Sequence, residues 1–238
     1  VQRQSYTGEL EVIIAEDCEG KEIRAHIQEW RGKYSFSIIH IHQPDIGFRK
    51  CKILNEAIRN ASSEYLLFID GDCILHKHFI KEHLLEAKRG YVVYGRRVML
   101  SAFLSKQFLA SKNFHWLHFL ILLITGCDRL DTALYLPFTK AKEKIGFWGH
   151  NWGIYKVDIK LVAGFDEAYE QAGIGEDTDI EWRLQKKGIR FLRIKNKAIQ
   201  YHLFHLSHYS NTKKVEAMLD KKKLSYLAGD NSVLLGSL

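Results

Sequence analysis

Short apolar runs and amphipathic stretches alternate over the first hundred residues. Leu10–Ala15 (LEVIIA) is β-branched and almost continuously apolar, and Glu16 and Asp17 follow it. That pattern predicts a strand buried on both faces, with its polar residues at the carboxyl end. A helix-like stretch runs to Trp30, and Ser35–Ile41 reads as a second strand. Beyond a loop with Pro44 and Gly47, residues Ile53, Leu54, Ala57, Ile58 and Ala61 fall on one face of a 3.6-residue period, which predicts an amphipathic helix. Tyr65–Ile69 (YLLFI) predicts a third buried strand running straight into Asp70-Gly71-Asp72, and Tyr91–Tyr94 a further strand. Strands and helices in this order, with polar residues at strand ends, predict an open α/β sheet whose ligands bind beyond the carboxyl edge.

The character changes over 101–145. Phe103, Phe108, Phe114, Trp116, Phe119, Ile121, Leu122 and Leu123 crowd together, interrupted by lysines and by His115 and His118. Two readings stand: a helical insert packed on the core, or an amphipathic face lying on lipid. In the first, the two histidines are buried, satisfied side chains. Residues 146–208 hold a glycine- and aromatic-rich segment, an acidic cluster, a helix at Asp177–Lys187, a strand and a histidine triplet. From 209 to 238 the chain is a basic tail carrying Lys213, Lys214 and Lys221–Lys223. There is no internal repeat, and the whole reads as a single domain.

Composition narrows the field. Of 238 residues, 46% are hydrophobic, 12% aromatic and 26% charged, which excludes general disorder. The longest apolar run, Phe119–Ile124, is far short of the ~18–20 residues that span a bilayer. Cys18, Cys51, Cys73 and Cys127 form no CxxC pair, so they read as free thiols in a reducing, cytoplasmic setting. The net charge of +7 favours anions without choosing among nucleic acid, acidic membrane and phosphorylated small molecules. Nucleic acid is disfavoured, because no Lys/Arg stripe with interleaved stacking aromatics is present.

Four constellations could carry chemistry. Asp70 and Asp72 at a strand end suit Mg²⁺ or Mn²⁺, with Gly71 allowing the backbone to turn both carboxylates to one site. Gly173-Ile174-Gly175-Glu176-Asp177-Thr178-Asp179 opens a helix with more acids than a cap requires, although capping is the simplest account. His202, His205 and His208 could supply imidazole to a metal, or could be ordinary surface histidines. Arg49-Lys50-Cys51-Lys52 lies at a helix start, where cations and backbone N–H groups can hold a diphosphate, or can be merely solvated.

In this order the motifs resemble the family-2 nucleotide-sugar glycosyltransferases of the GT-A fold, with a second half similar to a galactosyltransferase carboxy-terminal domain. The resemblance is carried by EVIIAED at 11–17 and by G-x₇-N-x-A-I-x₂-A-S-S-E-Y-L-L-F-I-D-G-D-C-I from Gly47 to Ile74. It continues with GHNWGIYKVD at 149–158, GFDE at 164–167 and GEDTDIEWRL at 175–184. It implies a Rossmann-like mixed sheet flanked by helices, with residues 1–100 as the nucleotide-sugar half and 146–208 as the acceptor half. It also implies that the fold's first strand is missing from this chain, which opens near the end of the helix after it.

The resemblance implies roles residue by residue. Asp17 would contact the nucleoside, usually uridine; Asp70 and Asp72 would be the DxD motif, with Asp72 on the metal and Asp70 on ribose or metal. Arg49, from its place at a helix start rather than from the resemblance, would lie beside the donor diphosphate. Asp177 would be the catalytic base and Glu176 would hold the acceptor sugar. His202, or else His205, would complete the metal site, while Asn151 and Trp152 would line the acceptor and donor-sugar pocket. The implied activity is inverting transfer of a hexose such as Gal or GalNAc from a UDP-sugar, with Mn²⁺ or Mg²⁺, to a saccharide or lipid-linked saccharide acceptor in cell-envelope polysaccharide or glycolipid synthesis.

Elementary chemistry is consistent with that assignment. A divalent cation neutralises the departing diphosphate. A carboxylate that takes the proton of the attacking hydroxyl is worth ~10²–10⁴-fold in rate. The alternative is a non-catalytic nucleotide- or sugar-binding module of the same fold; keeping both Asp72 and Asp177 argues against it, since a pure binder needs no base. The aromatic insert and basic tail raise the further expectation of peripheral contact with the inner face of a membrane.

Overall fold

The computed structural model describes residues 1–19, 21–30, 32–171, 175–206 and 212–238. In chain order its elements begin with β1 (Glu11–Glu16), α1 (Lys21–Trp30), β2 (Ser37–His42), α2 (Lys50–Asn60) and β3 (Tyr65–Ile69). Next come β4 (Cys73–Leu75), α3 (Phe79–Glu86), β5 (Tyr91–Tyr94), β6 (Arg96–Met99), α4 (Ala102–Ser111) and α5 (Phe119–Ile124). β7 (Lys142–Glu143), β8 (Asn151–Tyr155), α6 (Lys156–Lys160), α7 (Glu176–Lys186), β9 (Arg190–Arg193), β10 (Ile199–His202) and α8 (Thr212–Leu227) complete the α/β chain. It divides into two units with interleaved sequence: Val1–Thr7, Leu67–Gly153 and Phe191–Ser207 form the first, and Gly8–Leu66, Ile154–Arg190 and His208–Leu238 the second.

The first unit holds a three-stranded mixed sheet, β4-β10-β6. β10 runs antiparallel to β4, with His202 opposite Cys73, and parallel to β6, with Gln200 opposite Arg97. Because side chains alternate along a strand, Ile74, Val98, Ile199 and Tyr201 share one face. They join Leu104, Phe108, Leu117 and Leu122 in one apolar cluster, which is what fixes α4 and α5. The opposite face carries Arg97, Gln200 and His202.

That cluster divides the insert. Leu104, Phe108, Leu117 and Leu122 point inward, whereas Phe103, Leu109, Leu120, Leu123 and Ile124 are exposed. His115 and His118 are exposed as well, contrary to the expectation that they are buried. His115 lies within the 3₁₀ turn Phe114–Leu117 and His118 directly follows it, and the three-residue period puts both on the outer side.

The unit's other sheet, with the order β3-β8-β5-β9-β7, draws most of each strand from the same stretches of chain. Phe68 stacks on the buried Trp152 with ring centroids 4.2 Å apart. Beside it Asn151 is fully buried: its amide donates to the carbonyls of Arg96 (3.1 Å) and Ala198 (3.0 Å), and its carbonyl accepts from His83 Nε2 (2.8 Å). A side chain at position 95 would collide with that amide, which accounts for Gly95.

In the second unit β1 pairs with β2 in parallel register, Glu11 opposite Ser37 through Glu16 opposite His42. The strand is found one residue later than its apolar run predicts and is only half-buried up to Glu16, so the expectation of burial on both faces is not met. Glu16 is the buried end of the strand, held 2.7 Å from His40 Nε2 on β2.

Asn55 of α2 is buried against partners far along the chain: it accepts from the Phe165 N–H (2.8 Å) and donates to the Phe165 carbonyl (2.9 Å) and to Glu167 (3.0 Å). The asparagine of the 47–74 motif is thereby stapled to the GFDE segment. The basic tail is largely α8, and its Lys222 turns inward to pair with Asp166 and Asp179. Asn55→Ala strips three buried hydrogen bonds and is expected to cost about 2–4 kcal/mol, read as a lowered urea midpoint at unchanged m-value.

Candidate functional site

Asp72, His202 and His205 converge in the first unit. Asp72 follows β3 through a two-residue turn and His202 ends β10; the Leu203 N–H donates to the Asp72 carbonyl (3.0 Å), tying turn to strand end. His202 Nε2 and His205 Nε2 each lie 3.0 Å from Asp72 Oδ2, and 3.3 Å from each other. One carboxylate and two imidazoles thus present a mixed oxygen–nitrogen donor set to one point, which suits Mn²⁺ or Zn²⁺. Asp72 and His205 are partly open to solvent, while His202 is buried, giving the point an entry side. Burial alone would raise the Asp72 carboxyl, but His202, with Cys73 and His205, outweighs it and holds the group well below the usual carboxylate range.

Asp70 does not join this cluster. Its carboxylate faces Arg97, 3.5 Å away, so the two acids of the DxD motif have different partners. Gly71 has an ordinary φ, and a Cβ there would meet nothing, so the expected need for its flexibility is absent. His208 lies outside the described residues. Arg97 was not singled out from the sequence; its position opposite Gln200 becomes visible only once β6 pairs with β10.

The other predicted residues lie in the second unit. Asp17 accepts from Gln43 Nε2 and from the Arg49 backbone N–H, both at 2.5 Å. It therefore caps the start of α2, the N–H end expected to greet a diphosphate. The Arg49 guanidinium donates to the Pro44 carbonyl.

At the start of α7 three acids take three environments. Asp179 is fully buried against Arg183 Nε (2.7 Å), Lys222 Nζ (2.8 Å) and the Tyr169 hydroxyl (3.2 Å). Arg183 also donates to the carbonyls of Val162 and Gly164, so this pair is structural. Glu176 is buried, which raises its carboxyl; Lys50, 3.5 Å away, opposes that and the Asp177 charge reinforces it. Asp177 is half-buried, with Oδ1 accepting from the Thr178 N–H (2.8 Å). Buried Asn151 and Trp152, described above, are core residues of the first unit.

The family model described as "Glycosyl transferase family 2" matches residues 1–148. Among solved structures, the chain is similar to one described as GalNAc-T7 with UDP, GalNAc and Mn²⁺, at TM-score 0.59 and 11% identity, covering 90% of this chain and 41% of that one. It is also similar to S. aureus TarS 1-349 in complex with UDP-GlcNAc, at TM-score 0.58 and 16% identity, covering 87% of this chain and 54% of that one. The likeness establishes a GT-A fold, and the chain spans about half or less of each of these relatives. No curated protein matches the sequence.

The donor geometry ranks the acids by their effect on metal binding. Mn²⁺ titrated into the protein without nucleotide, followed by electron paramagnetic resonance, is expected to bind at least about tenfold more weakly to Asp72→Ala and His202→Ala. Asp70→Ala is expected to bind it nearly as the parent does.

Proposed function

The chain belongs to glycosyl transferase family 2, and from that premise we propose that it is a metal-dependent, inverting hexosyltransferase acting from a UDP-sugar onto a saccharide acceptor. The observation that carries this reading is the meeting of Asp72, His202 and His205. Solved relatives described with UDP and Mn²⁺, and with UDP-GlcNAc, support the donor class. The 238 residues act as one catalytic domain.

Asp72 and His202, with His205, would hold the divalent cation, and of the expected Mn²⁺ and Mg²⁺ the imidazole ligands favour Mn²⁺. When bound, that ion supplies Lewis-acid stabilisation of the charge on the departing diphosphate. Asp177 accepts the proton of the attacking hydroxyl as it closes on the anomeric carbon, in a single displacement that turns an α-linked donor into a β-linked product. Glu176 keeps a high proton affinity beside Lys50, and hydrogen-bonds the acceptor sugar. Asp17 addresses the uracil ring with the acceptor capacity left after it caps α2, and Asp70 addresses ribose. Arg49 contributes to the charge beside the diphosphate. Asn151 and Trp152 act by holding β8 in place, since both are buried.

The acceptor is a saccharide of cell-envelope polysaccharide or glycolipid synthesis, presented at a membrane. In support, residues 101–127 contain no acid, and Phe103, Leu109, Leu120, Leu123 and Ile124 stand exposed among Lys106 and Lys112. The contact proposed is peripheral, made by this exposed apolar face; no helix among the described residues is long and apolar enough to cross a membrane. Leu120→Ser combined with Leu123→Ser is expected to reduce co-sedimentation with phosphatidylglycerol vesicles several-fold; equal sedimentation of parent and variant removes the membrane face from this reading.

Turnover tests the central assignment. Mn²⁺-dependent hydrolysis of UDP-galactose, UDP-glucose and their N-acetylated counterparts is expected from the parent protein with at least one donor. Asp177→Asn is expected to bind UDP about as tightly while losing ~10²–10⁴-fold in turnover. Parent-like turnover in that variant removes Asp177 as base.

A further inference from the structure

The polar face of β4-β10-β6 carries more hydrogen-bonding capacity than the protein uses. Gln200 and His202 share it by strand alternation, and Arg97 stands opposite Gln200. His150 reaches in from the start of β8, with Nδ1 3.1 Å from Gln200 Oε1. Four atoms here are buried without a hydrogen-bond partner: Arg97 Nε, Gln200 Nε2, His150 Nε2 and His202 Nδ1. Gln200 is 0% exposed and His150 3%, so bulk water does not satisfy them. A buried polar atom left unpaired costs about 1–3 kcal/mol, so an accumulation of them at one place marks a site for something else.

The polarity of these atoms defines the occupant. Gln200 Oε1 can only accept, so His150 donates through Nδ1–H. Burial pushes the His150 imidazole down to about 3, with Arg97 adding to the effect. The ring is then neutral and its Nε2 is an acceptor. Arg97 Nε–H and the Gln200 amide are donors. The group that fits must accept and donate together, as a hydroxyl does; a phosphate oxygen cannot donate to the imidazole. Arg97 also faces Asp70 at 3.5 Å, and Asp70 is partly open to solvent, so the cluster adjoins the solvent-facing side of the site.

Resting on the donor reading above, we propose that Arg97, Gln200 and His150 form a hydroxyl-reading subsite beside Asp72, His202 and His205, and that it takes one hydroxyl of the hexose carried by the nucleotide. The three residues are therefore specificity determinants: a sugar that lacks this hydroxyl, or bears it in the epimeric position, leaves buried donors and an acceptor unpaired. Discrimination of that kind is much stronger than a hydrophobic pocket achieves.

The test uses the full chain with Mn²⁺ and compares UDP, the best UDP-hexose and its monodeoxy forms in binding and hydrolysis. One deoxy form is expected to lose about tenfold or more in kcat/KM while UDP affinity is unchanged. Arg97→Lys, which keeps the charge beside Asp70 but removes Nε–H, and the near-isosteric Gln200→Met are expected to lose about as much with the parent sugar. Neither variant should lose more with that deoxy form, since the interaction is already gone. Equal kcat/KM for the parent sugar and all deoxy forms overturns the subsite, as a resident water would then be its only occupant. An Arg97→Lys variant that retains the full preference overturns it too. If the parent chain shows no Mn²⁺-dependent UDP binding, the donor reading itself fails, and this inference with it.

Discussion

The pairing of His202 with Cys73 across β10 and β4 is the constraint on which the candidate chemistry depends. It brings the end of a strand near the carboxyl terminus beside the turn that follows β3, so that two imidazoles and a carboxylate share one point. The opposite face of the same small sheet is anchored by the apolar cluster of α4 and α5, so the insert is the foundation of the face that carries His202. Without that burial, strands of three and four residues could not hold register, because short strands draw their stability from what packs on their faces.

The second unit solves a different problem, that of fixing acids at the start of a helix. Asp179 and Arg183 form a buried ion pair within α7, and Arg183 and Asn55 both grip the segment around Gly164–Phe165. Lys222 from α8 adds the second cation, facing Asp166 and Asp179. Buried charges are tolerated when paired and fully hydrogen-bonded, and removing one partner is far more costly than the pair is worth. The network thereby holds the turn bearing Glu176 and Asp177 while leaving Asp177 itself half-buried.

Much of this was legible in the sequence, and the gaps have physical causes. The period of α2 and the runs of β3 and β5 are readable because each shows an unbroken pattern of its own. β4 has only three residues, and β6 and β10, though as long as β5, have half their positions polar because one face carries the site, which hides Arg97 and Gln200. The sequence marks Asp17 as a ligand residue but gives no sign of its partners Gln43 and the N–H of Arg49, which only tertiary structure reveals. Asn55 was visible as a motif residue, but its function as a staple could not be inferred without its partners at Phe165 and Glu167. Lys222 reads in the sequence as one lysine of the basic tail, and only the structure shows it turned inward to Asp166 and Asp179.

The central claim is that Asp72, His202 and His205 are the metal centre of a nucleotide-sugar transferase. Anomalous diffraction from crystals grown with Mn²⁺ and UDP tests it most directly. The account predicts one manganese peak coordinated by Asp72 and His202, with the UDP diphosphate completing its shell. Bound UDP with the manganese peak at Glu176 and Asp177, or with no peak at Asp72, would contradict it.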